Sequence, residues 1–224
     1  MHNVKWRGGQ VTRIEALTDA VFGFAVTFLF VSFDVPTDFD ALMTQLRGFI
    51  PFAACFALLL LVWYYHYKLF GKFDLDDGFT MLLNSVLLFV VLFYIFPLKF
   101  VFTSWLGGGS TFSNWEQIRS MMTLYSAGYC AVFLVFGLMY YHAYRKRRDL
   151  ELSDDDVFYA VQHVGECVVM IMVGLVSIAL AQTVPIRFAA AAAGFVYILI
   201  GPLQWYRSVW MARRRSRLVP EMNT

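Results

Sequence analysis

The sequence predicts an all-α integral membrane protein with six transmembrane helices. Three observations carry that reading. Hydrophobic residues make up 59% of the 224 positions and charged residues only 15%, a balance too apolar for an ordinary soluble domain. Six runs of about 20 residues are long enough to cross a bilayer: 14–33, 48–67, 79–101, 120–141, 157–181 and 188–206. With the amino terminus placed inside, 14 of the 18 Lys and Arg residues fall on inner segments and 4 on outer ones, as the positive-inside rule demands. The connections are short and polar and leave no room for a soluble domain, so residues 1–224 read as a single six-helix transmembrane unit.

The first run opens Arg13-Ile-Glu-Ala-Leu17-Thr18-Asp19 and then continues almost without charge. It is too long for a signal peptide and lacks a small-residue cleavage site, so it should be retained as a span. An acid at the front of a membrane helix is costly and requires a partner, which marks Asp19. Further along, Phe24, Phe28 and Val31 are spaced i, i+4 and i+7 on one helical face, with Thr27 nearly on it. Ala20 and Gly23 allow close backbone approach. Taken alone, this aromatic stripe reads as lipid-facing or core.

The second run descends from outside to inside and places Trp63 and His66 near its inner end. The third starts inside, with Asn84 about one and a half turns along. Asp19, Trp63, His66 and Asn84 therefore share one inner-leaflet depth, with Thr18 and Arg13 at the edge. Carboxylate, indole, imidazole and carboxamide can satisfy one another there, and in lipid such groups must pair. Two readings follow: a structural clasp on helices one to three, or a proton-sensitive or gating element through His66.

Residues Gly107-Gly108-Gly109-Ser110 form a flexible outer tip. They lack the lysine and the strand–helix setting of a phosphate-binding loop. The basic run Arg145 to Arg148 after the fourth helix reads as a topology and anionic-lipid signal, with no nucleic-acid partner. Before the fifth helix stands Asp154-Asp155-Asp156. Ser153 or Asp154 is the expected cap, with the acids at the positive end of the helix dipole, and the spacing of calcium ligands is absent. Within that helix His163 and Glu166 lie on one face at i, i+3. They form either a structural pair or the proton relay of a proton-coupled secondary transporter. The sixth helix leads into Arg207, Arg213, Arg214, Arg215 and Arg217, which puts both termini in the cytoplasm of a bacterial inner membrane or facing the cytosol from an organelle.

Cys55, Cys130 and Cys167 each lie in an apolar run and read as buried thiols. His2, His66, His142 and His163 form no metal or haem spacing, and no Ser or Cys sits in a nucleophile context. Neither a metal site, a cofactor nor an enzymatic activity is expected.

The motif Arg13-xxx-Leu17-Thr18-Asp19, continuing Ala-Val-Phe22-Gly-Phe-Ala25-Val-Thr27-Phe-Leu29 and ending at Val35-Pro36, resembles the Arg-xxx-Phe-Ser-Asp opening of the prokaryotic transmembrane protein 175 potassium channels. Trp63-xx-His66, Leu83-Asn84 and Pro97 extend the resemblance over roughly the first hundred residues. Helices four to six agree in number and topology only. The resemblance implies a homotetramer in the lipid bilayer, with helix one of each subunit lining a central pore. That pore would conduct K⁺, and other monovalent cations to a lesser degree, past apolar side chains instead of a carbonyl filter. The absence of a filter loop in the sequence agrees. By position, the constriction falls on Phe24, the next pore-facing layers on Thr27, Phe28 and Val31, and the polar network on Arg13, Thr18, Asp19, Trp63, His66 and Asn84. Leu17-Thr18 replaces the family's Phe-Ser, and phenyl rings at Phe24 and Phe28 replace its smaller aliphatic side chains. Four such rings around an axis could close a pore by dewetting or present ring faces to a cation.

Overall fold

A computed structural model describes residues 11–31, 36–106 and 114–218. Lys5, Arg7, Phe33, Val35 and the 107–110 tip lie outside them. The helices are α1 (Arg13–Val31), α2 (Phe39–Lys72), α3 (Gly78–Leu106), α4 (Trp115–Arg145), α5 (Asp154–Thr183), α6 (Ile186–Phe195) and α7 (Ile200–Leu218), the last two joined by a 3₁₀ turn over Val196–Leu199. Among the described residues, six helical segments are long and apolar enough to cross a membrane, the sixth running over Phe188–Met211 through α6, the 3₁₀ turn and α7.

Most helices overrun the runs expected from the sequence. The 34 residues of α2 reach about 50 Å, against a hydrocarbon core of about 30 Å. Their polar ends propagate the backbone beyond the apolar segment because caps are present to close them. Asp38 accepts from the Ala41 amide at the start of α2. Asn114 accepts from the Gln117 amide at the start of α4. Ser153, of the two candidates, caps α5 in a reciprocal box with Asp156.

The sixth segment differs from the single uniform helix expected for 188–206. Pro202 has no N–H to offer the carbonyl of Ile198, so the α-helical ladder fails there and the chain tightens to 3₁₀ over Val196–Leu199. Pro51 and Pro97 sit inside α2 and α3 and each deprives one carbonyl of its helical donor.

The most extensive packing is between α4 and α5, and α3 rests on α4. Small residues permit it. A methyl group on Gly174 would collide with the Cys130 sulfur, and one on Gly128 with the Tyr94 ring. Cys55 and Cys167 are buried, Cys130 is half-buried, and all three are free thiols. The α1 helix lies at the margin of this body and packs chiefly on α2 and α3. Ile14, Thr18, Phe22, Ala25 and Leu29 form its buried side.

Candidate functional site

The polar residues of α1 divide because of helix geometry. Thr18 and Asp19 are consecutive, so they point about 100° apart. Thr18, fully buried, faces α3. Asp19, exposed, faces α2.

On the α3 side, Asn84 Nδ2 donates to Thr18 Oγ1 at 2.9 Å, and Thr18 Oγ1 donates to the Ile14 carbonyl at 2.8 Å. His66 Nε2 lies 3.0 Å from Asn84 Oδ1. A carbonyl only accepts, so the direction of the whole chain is fixed: His66 Nε2–H donates to Asn84, Asn84 to Thr18, and Thr18 to the backbone. His66 is also stacked on Phe70, with ring centroids 4.3 Å apart. Its Nε2 proton is committed to Asn84, so any added proton enters at Nδ1 and leaves this chain intact.

The α2 side holds a separate pair: the Trp63 indole donates to Asp19 Oδ1 at 2.8 Å. Thus Thr18, His66 and Asn84 form one group and Asp19 and Trp63 another. Arg13 is exposed and joins neither. Together the two groups fasten one end of α1 to both of its neighbours.

Away from its buried side, α1 presents an open face. Phe24 is 64% exposed and Val31 69%, and Thr27 is exposed with its hydroxyl turned back to the Gly23 carbonyl at 3.0 Å. Phe28 departs from this face. It is less exposed, at 44%, and sets its edge on Phe96 of α3, centroid to centroid 5.5 Å at 76°. Phe24 stacks on Phe28 at 6.4 Å. On the other flank, Phe30 packs on Phe52 of α2.

His163 and Glu166 are brought together, 3.7 Å apart, but neither is left without other partners. His163 Nδ1 lies 2.9 Å from the Tyr159 carbonyl and its ring sits against those of Tyr159 and Tyr140. Glu166 pairs with Arg207 of α7 at 3.4 Å and accepts from Gln162 at 3.3 Å. Arg207 also donates to the Gln162 carbonyl.

Two further ion clusters were not legible in the sequence. Lys72, buried at the end of α2, pairs with Asp156 at the start of α5. Asp77, just before α3, meets His142 at 2.9 Å and Lys146 at 3.1 Å at the end of α4. It also accepts from the amides of Phe79 and Thr80. Burial alone would raise the Asp77 carboxyl, but the bonds from His142, the Thr80 amide and Lys146 outweigh it and hold the group well below the usual carboxylate range. An Asp placed just before a helical run ending its first turn in Thr is the available sequence signal for that cap. Nothing in the sequence paired it with α4. Among the described residues, no group of three His, Cys, Asp or Glu side chains is arranged to hold a metal ion.

Fold and site together define an α-helical, polytopic integral membrane protein whose first helix is fastened at one end and uncovered along an apolar face. The family model for the endosomal/lysosomal potassium channel TMEM175 matches residues 13–97, the stretch that holds both polar groups and the open face. A protein of Marivirga tractuosa named as a potassium channel is 38% identical over 98% of this chain and 95% of its own length. A potassium channel of Chamaesiphon minutus is 26% identical over 58% of this chain and 64% of its own. Among solved structures, a variant of the potassium channel MtTMEM175 bound to a nanobody–MBP fusion superposes with a TM-score of 0.81 at 33% identity, covering 97% of this chain and 98% of that one. The chain belongs to the TMEM175 potassium channel family. The fold extends to a Chamaesiphon minutus homologue at 22% identity, with a TM-score of 0.58 over 86% of this chain and 96% of that one.

Proposed function

We propose that this chain is the subunit of a homotetrameric channel that conducts K⁺ passively, with weak to moderate selectivity over other monovalent cations. The α1 helix of each subunit lines the pore. The single observation that carries this reading is the open face of α1. Phe24 and Val31 are left largely uncovered in the single subunit, while the opposite side of the same helix is buried and its base is fastened to α2 and α3. A helix held this firmly does not need that face for its own fold, and copies of α1 around an axis would cover it. Family membership supports the same conclusion, since the relatives that span nearly this whole chain are named potassium channels.

In this reading Phe24 forms the constriction, with Thr27, Phe28 and Val31 in the layers beyond it. A ring of phenyl groups restrains ions by excluding water from the narrow point. Thr27 supplies the only hydroxyl between Phe24 and Val31. Thr18, Asp19, Trp63, His66 and Asn84 hold the helix in place, and Arg13 stands beside them at the pore entrance. The permeant ion is the only ligand this scheme requires; no cofactor and no enzymatic step belongs to it. The protein sits in the inner membrane of a bacterium with both termini in the cytoplasm, as the distribution of Lys and Arg supports.

The test is cation flux from liposomes containing the purified full chain, with K⁺ and Na⁺ gradients run in parallel. Downhill K⁺ flux should exceed Na⁺ flux and should need no coupling gradient. Phe24→Ala should raise the leak of both ions and reduce the difference between them. An assembled Phe24→Ala protein with wild-type flux would remove Phe24 from the constriction.

A further inference from the structure

Phe28 does not share the open face evenly with Phe24. It turns toward α3 and places its ring edge on Phe96, at 5.5 Å and 76°, the T-shaped arrangement favoured by aromatic quadrupoles. On its other side it stacks against Phe24, at 6.4 Å and 28°. Three rings thus run in series from the middle of α1 to α3. Phe96 is otherwise largely uncovered, 60% exposed, so Phe28 is a principal support for its ring, and its ring a principal support for Phe28. A groove of about 310 Å³ lies between the two helices at this level, and Lys99 and Thr103 line it alongside Phe28, Leu29, Ile95, Phe96 and Phe100.

The next residue of α3 is Pro97, inside the helix. It leaves the Phe93 carbonyl without its helical donor, and α3 bends most easily at this point. The fastened end of α1 lies elsewhere, at Thr18 and Asp19. The stretch bearing Phe24 and Phe28 is held on the α3 side by Leu29 in the core and by the Phe96 contact.

Resting on the channel reading above, we infer that Phe96 is a positioning residue for the constriction: through Phe28 it sets the rotamer and lateral position of Phe24. It lies outside the pore-lining helix and touches no ion. A small bend of α3 at Pro97 moves Phe96, and the stacked rings carry that displacement to Phe24.

The experiment is single-channel recording of the full chain in planar bilayers under a K⁺ gradient, for wild type, Phe96→Ala, Phe96→Leu, Phe96→Tyr, Phe28→Ala and the Phe28→Ala/Phe96→Ala double variant. Aromatic pair energies correspond to at most about a twelvefold change in a two-state equilibrium, and only the part that differs between the two states counts, so Phe96→Ala should shift the open-to-closed ratio measurably but by no more than that factor. The current through each open channel should stay at its wild-type value. Phe96→Tyr, which keeps the ring, should restore the wild-type ratio. The double variant should shift it no further than Phe28→Ala alone, because both changes sever one contact. If Phe96→Ala fails to assemble, Phe96→Leu carries the same expectation with the volume largely kept. A wild-type open-to-closed ratio in Phe96→Ala or Phe96→Leu, or additive shifts in the double variant, would overturn the inference. So would a change in unitary current alone, which would place Phe96 in the ion path. Absence of K⁺ current from the wild type would instead sink the channel reading, and this inference with it.

Discussion

Asn84 is the residue on which the buried half of the site turns. It accepts from His66 and donates to Thr18, each at about 3 Å, and it is buried. Asn84→Ala should destabilise the protein by about 1–3 kcal/mol, the penalty for leaving buried polar groups unpaired. Trp63→Phe removes one donor at the exposed edge of the pair and should cost less than about 1 kcal/mol. Thermal or denaturant unfolding of the purified protein reads both, and a smaller loss for Asn84→Ala than for Trp63→Phe would reverse this ranking. Sequence reasoning placed these residues at one depth because depth follows from counting along helices of known direction. It did not divide them into two groups, because azimuth depends on which neighbour packs against which side. Thr18 and Asp19 are adjacent in sequence yet serve different helices, and Arg13, expected at the edge of the network, bonds to neither group. The same limit applies to the aromatic stripe. Spacing put Phe24, Phe28 and Val31 on one face, but Phe28 is 40° around from Phe24 in an ideal helix, enough for Phe96 to capture it.

At the scale of elements, the junction of α3 and α4 hangs on one carboxylate. Asp77 caps α3 through the Phe79 and Thr80 amides and grips α4 through His142 and Lys146. Its carboxyl is depressed in the folded protein. The stability it contributes is therefore present above the ordinary carboxyl value of 3.8 and is lost as pH falls from there toward the depressed folded value. Melting temperature followed downward from pH 5 should fall more steeply for the wild type than for Asp77→Asn; parallel curves would detach Asp77 from acid sensitivity. A second element-level expectation concerns Gly128. Replacing a helical Gly by Ala normally gains up to about 1 kcal/mol, but here the new methyl would overlap the Tyr94 ring. Overpacking costs about 1–3 kcal/mol, so Gly128→Ala should lower the unfolding temperature. The helices themselves were legible from apolar run length and from Ser153 before an acidic turn. The break in the sixth was not. Pro202 removes a donor wherever it falls in a helix, but whether the chain kinks, unwinds or tightens there depends on its packing.

For the whole molecule, the class followed from composition and charge distribution, because the bilayer forces apolar segments of near-constant length and biases where cations reside. The open face of α1 needed the fold, since a stripe of phenylalanines looks the same in sequence whether it meets lipid, core or another subunit. The competing role of His163 and Glu166 as a proton relay is also a whole-molecule question. Glu166 is held by Arg207 and Gln162, which ties α5 to α7. Glu166→Gln retains one accepting oxygen for both partners, and Arg207 keeps the Gln162 carbonyl. The expected result is a loss of stability of about 1–2 kcal/mol, below the range for breaking a fully buried pair because the group is partly exposed. Downhill K⁺ flux should persist within twofold of wild type and be indifferent to an imposed pH gradient. A proton-coupled transporter predicts the opposite on both counts: wild-type uptake that saturates and follows the pH gradient, and a Glu166→Gln variant that assembles but moves no ion. Flux measured with and without the pH gradient, on both proteins, separates a pore that α5 merely supports from a carrier in which α5 performs the coupling.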